Sequence, residues 1–334
     1  MIDKKHPSIK YGKTGVLIIN LGTPDSTSWL DIRKYLKEFL SDRRVIEVNP
    51  VIWQIILNVF ILNFRPSKTA KAYKEIWMKD KNISPLLYYT KKQSEKISNS
   101  ISKENIIIDF AMRYGNPSIK SKIHKLHEMG CENLVILPLY PQYAAATTAT
   151  VCDEVYRTLM NMRWQPSLKI IPHYESNPLY IDALVNSINK KINEIGWKPD
   201  LIIASYHGIP KKYFDKGDPY HCYCHKTTRL LSEKINNKIE IRTTFQSRFG
   251  PQEWLQPYTD KTLENLPKEG KKKVLVICPG FSSDCVETLE EINMQGKETF
   301  IDNGGKNFET VPCLNDSEEH IELLHYLIDK YFIK

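Results

Sequence analysis

The chain has 334 residues, of which 41% are hydrophobic and 26% are charged, and its formal net charge is +8. This length accommodates two domains of ordinary size, and the composition is typical of a soluble globular protein. The positive charge is compatible with an anionic partner such as a membrane surface or an acidic small molecule, although solvated surface lysines explain most of it. No dense run of Arg and Lys interleaves with aromatic residues, so we expect no nucleic-acid partner.

The N-terminal residues 1–6 contain no apolar segment of the kind that secretion signals carry. The seven cysteines are an odd number in a long chain, which is typical of reduced thiols rather than of a disulfide framework. We therefore expect a cytoplasmic protein.

Short apolar segments alternate with longer segments of helical pattern along the chain. This alternation predicts right-handed β–α–β units and an α/β fold with parallel sheets covered on both faces. The early strands fit one doubly wound unit and the later strands a second, with a boundary near residues 172–178. We predict domains at 1–174 and 175–316, and a C-terminal helix at 317–334 that packs back on the first domain. The predicted strands are 15–20, 105–110, 133–138, 168–172, 201–204, 239–245 and 273–277, and the predicted helices include 118–129, 177–195 and 226–237.

An apolar segment at residues 51–64 is followed by Arg65 and Lys68. It is shorter than the ~20 apolar residues that span a bilayer. One interpretation is a buried helix, and the other is an apolar lip with a basic flank that enters a membrane interface. Gln54, Asn58 and Lys68 would be costly to bury, which favours the lip.

The sequence gives no support for nucleotide binding. Neither G-x-G-x-x-G after a strand nor G-x-x-x-x-G-K-S/T occurs in the chain. These are the glycine-rich loops that cradle phosphates, so a nucleotide-dependent oxidoreductase is disfavoured.

His207 comes just after the predicted strand 201–204 and is followed by Gly-Ile-Pro, which turns the chain sharply. In an open parallel sheet, ligands bind just beyond the carboxyl ends of the strands. An imidazole at that edge can accept a proton near neutral pH. His207 is therefore the candidate for acid–base chemistry among the nine histidines.

The predicted strand 273–277 leads to Asp284 and then to Glu287, Glu290 and Glu291. On a helix that begins near Asp284, its expected N-cap, Glu287 and Glu291 share one face. Like charges at this spacing are destabilising unless a metal ion or a shared proton lies between them. The alternative is that acidic residues in the first turns complement the helix dipole. We favour that structural role for Glu290 and leave both roles open for Glu287.

Residues 221–225 read His-Cys-Tyr-Cys-His, which suggests a metal site. Zinc sites more typically use C-x-x-C together with a second pair of ligands, and no second pair stands at a suitable distance. Neither a strand nor a helix brings all four side chains to one face. We therefore favour a structural role for this segment.

Side chains suited to a flat, partly anionic ligand follow three other predicted strands. Arg113 and Tyr114 combine a guanidinium with a phenol, which suits recognition of a carboxylate. The segment 137–148 is rich in aromatic and small residues, and the segment 245–254 adds an aromatic residue, an arginine and a hydroxyl.

Taken together, these segments resemble the ferrochelatases, the enzymes that insert ferrous iron into a porphyrin to make haem. The resemblance is nearly full length, and its motifs occur in one order along the chain. They are Asn-Leu-Gly-Thr-Pro at 20–24, Ile-Ser-Pro at 83–85, Met-Arg-Tyr-Gly at 112–115, Leu-Tyr-Pro-Gln-Tyr at 139–143, Ser-Tyr-His-Gly-Ile-Pro at 205–210, Lys-Gly-Asp-Pro-Tyr at 216–220, Phe-Gln-Ser-Arg-Phe-Gly-Pro at 245–251 and Phe-Ser-Ser-Asp-Cys-Val-Glu-Thr-Leu at 281–289.

The resemblance implies two Rossmann-like domains with a porphyrin cleft between them. It places His207, Glu287 and Glu291 at the family's catalytic positions, with His207 and Glu287 as metal ligands. It implies protoporphyrin IX and Fe(II) as substrates, no cofactor, and an apolar lip at 51–64 that makes peripheral contact with a membrane. The implied porphyrin-binding residues are Leu21, Ser84, Arg113, Tyr114, Thr148, Ser247, Trp254 and Phe281.

Two features depart from some members of that family. Some have a second histidine two residues before the active-site glutamate, where this chain has Cys285, so a relay through a second histidine is not implied. Some bind a [2Fe-2S] cluster through a cysteine-bearing C-terminal extension, but no cysteine follows Cys313 here. We expect no internal cluster from Cys152, Cys222, Cys224 and Cys285.

As a mechanism, we expect His207 to accept a pyrrole proton, because its ordinary pKa lies near working pH. Glu287 and Glu291 are expected opposite it, as an acidic track that relays protons or delivers metal. Imidazole and carboxylate both suit Fe(II), so the sequence leaves open whether His207 is a base or a metal ligand. It also leaves open protoporphyrin or coproporphyrin as substrate, a chelatase for another metal or tetrapyrrole, and a porphyrin carrier without chemistry.

Overall fold

The computed structural model describes residues 9–101, 103–235 and 239–332. The N-terminal segment 1–6, where we predict the absence of a secretion signal, lies outside the described residues. The end of the predicted helix 226–237 and the last two residues of the predicted helix 317–334 also lie outside them.

Two four-stranded parallel sheets form the framework, and they share one topology. The first sheet has the strand order β2-β1-β3-β4 and the second has the order β6-β5-β7-β8. The predicted α/β class with two parallel sheets is confirmed. The strands are β1 (Lys13–Thr23), β2 (Ile106–Gly115), β3 (Cys131–Pro138), β4 (Ser167–Ile170), β5 (Leu201–His207), β6 (Ile241–Gln246), β7 (Lys273–Ile277) and β8 (Asn307–Thr310).

The central strands are apolar because helices cover both faces of each sheet. Residues 16–19 of β1 and 201–204 of β5 are fully buried. All seven predicted strands overlap observed ones, but the sequence analysis missed β8. This edge strand has only four residues, of which Phe308 alone is buried, so it shows no apolar run.

Helices connect the strands, and several of them begin next to a residue whose side chain caps the first turn. Asn177 accepts a hydrogen bond from the backbone of Leu179, and Pro178 begins that helix. The helices are α1 (Trp29–Leu40), α2 (Pro50–Ile56), α3 (Leu62–Ile76), α4 (Pro85–Ser100), α5 (Ile119–Glu128), α6 (Thr150–Met160), α7 (Pro178–Ile195), α8 (Lys211–Asp215), α9 (Tyr220–Lys234), α10 (Thr259–Asn265), α11 (Lys297–Asp302) and α12 (Glu318–Phe332). Among the described residues, the segments Leu57–Ile61, Ala145–Ala149 and Glu287–Gly296 are π-helical.

One hydrophobic core runs from the first sheet into the second. It includes Val16 and Ile18 of β1, Ile202 of β5, and Leu324 and Leu327 of α12. Helix α12 packs against α4, α7 and β3, so the end of the chain contacts the half that contains the first sheet. The two halves are therefore held together by shared apolar packing, and the domain boundaries themselves stay a prediction.

The apolar segment 51–64 forms α2, a π-helical turn and the start of α3. Its inner side chains, such as Leu57 and Leu62, are fully buried, but Val51, Phe60 and Phe64 are 70%, 57% and 75% exposed. The interpretation as a buried helix is therefore wrong, and we call residues 51–64 the lip. Within the described residues, no helix is both long and apolar enough to cross a membrane.

Candidate active site

A cavity of about 420 Å³ lies between the two halves, at the carboxyl ends of the central strands. This is the position at which parallel α/β sheets bind ligands. The first half contributes the end of β1, the residues after β3 and the base of the lip. The second half contributes the end of β5, the residues after β6 and the segment from 280 to 295. Among the lining residues are Leu21, Arg65, Lys68, Tyr140, Thr147, His207, Ser247, Trp254, Phe281, Glu287, Glu290 and Glu291.

His207 is the last residue of β5, and it lies in the cavity wall as predicted. Its Nδ1 atom is 2.7 Å from the carbonyl oxygen of Gly208. A carbonyl only accepts hydrogen bonds, so Nδ1 carries the hydrogen and Nε2 of the neutral ring has the free lone pair. Its side chain is therefore prepared to accept a proton at Nε2.

Glu291 is anchored by Ser247 at both carboxylate oxygens. The Ser247 backbone N–H donates to Oε1 at 2.7 Å, and its hydroxyl donates to Oε2 at 2.5 Å. Burial raises the pKa of Glu291 above its ordinary value, the nearby Glu287 raises it further, and the Ser247 hydroxyl and His207 lower it. Ser247 has a φ of +65°, a strained conformation for a side chain other than glycine. Its hydroxyl is committed to Glu291 rather than free for a ligand.

Gln246 is a buried residue of this site that the sequence analysis missed. Its amide oxygen accepts from the hydroxyl of Ser205 at 2.7 Å. Its amide nitrogen donates to the backbone carbonyl of Glu287 at 2.9 Å and lies 3.4 Å from Oε2 of Glu291. It therefore connects β5 to the π-helical segment that bears the glutamates. The motif Phe-Gln-Ser contained it, but the buried amide of a glutamine has no distinctive sequence signal.

The three glutamates of the segment Glu287–Gly296 all line the cavity. Glu290, for which we favoured a purely structural role, lies in the same wall and accepts from Gln295 at 2.6 Å. Asp284 is not the N-cap, because the helical turn begins two residues later. Its carboxylate instead accepts from the hydroxyl of Thr288 at 3.0 Å and the amide of Asn315 at 2.7 Å.

The structure places neither Arg113 nor Tyr114 in the cavity wall. Both are buried, and both bind Asp42, the guanidinium at 2.5 Å and the phenol at 2.9 Å. The Arg113 guanidinium also lies 4.4 Å from the centre of the Tyr114 ring and donates to the carbonyl of Thr150. In this structure they form a buried cluster behind the cleft, and their implied role as porphyrin ligands stays a prediction.

Two other implied ligands are also set back from the main cavity. Ser84 is buried and caps α4 by accepting from the backbone N–H of Leu87. It lines a separate space of about 10 Å³ beside Glu287. Thr148 is buried, and its neighbour Thr147 lies in the cavity wall in its place. Leu21, Trp254 and Phe281 do line the cavity, and the ring centres of Phe281 and His207 are 6.5 Å apart.

Arg65 and Lys68 line the cavity at the base of the lip. The Arg65 guanidinium lies 5.2 Å from the centre of the Phe249 ring. Within the described part of the chain, no carboxylate forms an ion pair with either residue. From the sequence, we expected Arg65 and Lys68 to face a membrane surface, because no sequence signal places them beside a cleft.

The segment 221–225 lies on α9 and gathers no set of four ligands. Cys222 is exposed and Cys224 is buried, so the two thiols point to different environments. The rings of His221 and His225 lie 4.4 Å apart, and that of His221 stacks against Phe245. Across the described ranges, no three His, Cys, Asp or Glu side chains form a group suited to a metal ion. His207 and Glu287 are thus not parts of a preformed site with three ligands.

Among solved structures, the chain is similar to SirB from Bacillus subtilis with Fe3+, with a TM-score of 0.58 and 11% identity over 96% of each chain. It is also similar to the sirohydrochlorin chelatase SirB from Bacillus subtilis subspecies spizizenii in complex with cobalt, with a TM-score of 0.56 and 9% identity over 96% of this chain and 95% of that chain. At these identities the likeness supports the fold alone.

Curated proteins are similar at much higher identity. A protein named ferrochelatase from Allorhizobium ampelinum is 53% identical over 329 residues, covering 98% of this chain and 96% of that protein. One of the same name from Francisella tularensis subsp. tularensis is 51% identical over 326 residues, covering 97% of each. A model of the ferrochelatase family matches residues 13–331. The chain therefore belongs to the ferrochelatase family, as its motifs predict.

Proposed function

We propose that the chain inserts Fe(II) into protoporphyrin IX in the cavity between its halves, with His207 as the base and Glu287 and Glu291 as the acidic wall. Ferrochelatase activity, the last step of haem synthesis, follows from the family. The observation that carries the residue assignment is that an imidazole with a free Nε2 and two glutamates line one cavity.

Metallation removes two pyrrole N–H protons and replaces them with one Fe(II), so the reaction releases two protons for each haem formed. His207 accepts a pyrrole proton at Nε2, because Nδ1 is held by the carbonyl of Gly208. Glu291 accepts the second proton, because burial raises its pKa above the ordinary value and so makes the carboxylate a stronger base. His207 and Glu291 thus provide one acceptor each.

Glu287 lies in the same wall, and a carboxylate is a suitable ligand for Fe(II) during its approach. The described residues offer no site with three protein ligands. A strong protein site would compete with the product, because the porphyrin itself supplies four nitrogen ligands. A weak site of one or two ligands allows the metal to be transferred.

The rest of the cavity suits a flat apolar ring with carboxylates at its edge. Leu21, Trp254 and Phe281 provide apolar surface, and Arg65 and Lys68 provide positive charge at the base of the lip. These charges are available for the propionates, since they form no ion pairs within the described residues. Arg248 also lines the cavity but is paired with Asp260 at 2.7 Å. Protoporphyrin has two such carboxylates and coproporphyrin has four, so the two cations without an ion pair match protoporphyrin.

We also propose that the protein is cytoplasmic and makes peripheral contact with a membrane through its lip. The exposed side chains of Val51, Phe60 and Phe64 would lie in the interface, and Lys68 would remain near the polar surface. Protoporphyrin is poorly soluble in water, so a cleft that opens at a membrane surface can take it from the lipid.

Anaerobic incubation of the purified protein with Fe(II) and protoporphyrin IX tests this function. We expect loss of porphyrin fluorescence and appearance of haem absorbance, abolished in His207→Ala and retained in His325→Ala on the outer face of α12. Tight porphyrin binding without metallation would instead indicate a carrier. The same assay with coproporphyrin separates the two candidate substrates.

A further inference from the structure

Helix α4 presents two fully buried polar side chains one turn apart, Thr90 and Gln93. The helix packs against β1 and β2 on one side and against α12 on another. Buried polar side chains are costly unless they form hydrogen bonds, so their partners indicate what they hold.

Thr90 holds the end of β1. Its hydroxyl donates to the carbonyl of Leu86 at 2.7 Å and accepts from the side-chain amide of Asn20 at 3.0 Å. The amide oxygen of Asn20 in turn accepts from the backbone N–H of Leu21 at 2.8 Å. Asn20 and Leu21 line the cavity, so α4 fixes this wall of the cleft.

Gln93 holds the opposite half of the molecule. Its amide nitrogen points at three acceptors, namely the carbonyl of Asn315 at 2.7 Å, the hydroxyl of Ser283 at 3.0 Å and the carbonyl of Ser282 at 3.4 Å. Ser282 and Ser283 line the cavity directly after Phe281. The amide oxygen of Gln93 is buried and has no partner among the described residues. The hydrogen bonds of this side chain are therefore all donated by its amide nitrogen.

The contacts of Gln93 continue to the glutamates. The side chain of Asn315 bonds to both the backbone and the carboxylate of Asp284, at 2.8 and 2.7 Å. That carboxylate accepts from the hydroxyl of Thr288, the residue after Glu287. A continuous set of hydrogen bonds thus leads from α4 in the first half to the π-helical segment in the second.

We propose that Gln93 is a positioning residue that sets the separation between the β1 wall and the glutamate wall of the cleft. With Thr90 holding one wall and Gln93 the other, α4 fixes the distance between Glu287 and a porphyrin that rests against Leu21. This inference rests on the proposed function, because it concerns the geometry of the same site. A misplacement of about 1 Å at a reacting centre can cost about 10²-fold in rate.

The test is Gln93→Met, which keeps the length of the side chain but removes its donors and its unpaired acceptor. We expect kcat for Fe(II) insertion to fall about tenfold, within the range for lost positioning, while the porphyrin dissociation constant from fluorescence titration changes less than twofold. The matched control is Lys96→Met on the same helix, which removes the exposed ion pair with Asp316 and is expected to keep kcat.

The outcomes separate the two hypotheses. An inactive wild-type protein contradicts the proposed function, whereas an active wild type with Gln93→Met equal to Lys96→Met overturns the role of Gln93. The role of Gln93 is also overturned if a smaller folded fraction, measured by circular dichroism, accounts for the whole loss of activity. If Gln93→Met does not fold, Ser283→Ala removes one acceptor from the other half, and an unchanged kcat there contradicts the proposal.

Discussion

The two halves of the molecule repeat one backbone plan but differ in the side chains they place at the cleft. In each half the strand at the second position, β1 or β5, ends at the cavity, and a π-helical segment follows the third strand, β3 or β7. In the first half these positions carry Asn20 and the segment Ala145–Ala149, and in the second they carry His207 and Glu287–Gly296. The fold thus provides similar positions at two sheet edges, and we expect the second half, which places an imidazole and carboxylates there, to supply the proton chemistry.

The halves also differ in the first connection between strands. Between β1 and β2 the chain forms α1 to α4, including the lip, whereas the described residues between β5 and β6 form α8 and α9. The longer connection adds Phe39, Leu40, Val45 and Leu86 to the cavity wall, together with the cations Arg65 and Lys68. We therefore expect the first half to contribute more to holding a large ligand than to proton chemistry.

Among the variants proposed below, the largest effect is expected when a carboxylate is removed from the π-helical segment of the second half, since the corresponding segment of the first half has none. Glu287→Gln should lower kcat by about 10²- to 10⁴-fold, the range for loss of a group that moves protons or metal in the reaction. Porphyrin binding should persist, because the apolar wall and the cations are intact. Anaerobic steady-state assays and fluorescence titration measure the two quantities. A variant with wild-type kcat would show that the glutamate wall is dispensable.

Glu291→Gln sharpens the comparison, because it should lower activity while raising stability. The folded protein raises the pKa of Glu291 above its ordinary 4.5, so this carboxyl favours folding at low pH and opposes it as the pH rises through the raised pKa. The neutral variant should therefore have a higher Tm than wild type at pH 7, and the difference should vanish toward pH 4.5. Calorimetry at both pH values checks the sign; a lower Tm at pH 7 would contradict it. We expect kcat to fall about tenfold or more, the lower part of the general acid–base range.

Two arginines of the first half should respond in different ways. Arg65→Leu should raise the KM for porphyrin about tenfold, the usual cost of losing a charge-assisted hydrogen bond. Arg113→Leu should lower the Tm, because removing one partner of a buried pair costs about 3–5 kcal/mol and leaves Asp42 uncompensated. Thermal unfolding and porphyrin titrations on both variants separate the roles. A large rise in KM for correctly folded Arg113→Leu would support its implied role as a porphyrin ligand.

The smallest effect on turnover is expected at the lip. Phe64→Ser should reduce co-sedimentation with phospholipid vesicles, since full burial of such a side chain contributes about 1.5–3 kcal/mol. Turnover with detergent-solubilised porphyrin should stay within about twofold, because no catalytic group is altered. Met160→Ser is the control, since Met160 is 79% exposed and lies on α6 outside the lip. Equal loss of vesicle binding in both variants would count against the lip as the contact surface.

The fold and the ends of the strands could be predicted from the sequence because buried parallel strands have a strong apolar signal. His207 and Glu287 were found in this way, as residues that follow such strands. Arg113 follows the predicted strand 105–110 in the same manner and lies near the end of the observed β2, but Asp42 comes from the connection after α1 and binds its guanidinium. A contact between residues 71 positions apart has no local signal, so the sequence could not show that Arg113 is turned away from the cleft.

The anchoring of Glu291 was beyond prediction for a related reason. Ser247 was identified as a cleft residue, but its positive φ and its double contact with Glu291 depend on how β6 meets the π-helical segment. Glu290 also lines the cavity, although we favoured a structural role for it. Glu287, Glu290 and Glu291 are spaced i, i+3 and i+4, so a helical pattern by itself places all three on one side.

The π-helical segment Glu287–Gly296 has a consequence for the kinds of genetic change that this protein tolerates. A π-helix closes its hydrogen bonds over one residue more than an α-helix does. Loss of a single residue within it, such as the exposed Met294, would let the segment rewind as an α-helix. Because an α-helix turns through a larger angle per residue, this rewinding would offset most of the rotation that the deletion causes, and Glu287 and Glu291 would keep much of their direction relative to α11. An in-frame deletion of three nucleotides here should thus be less harmful than the same deletion within an α-helix such as α9, where it turns the preceding residues by about 100°.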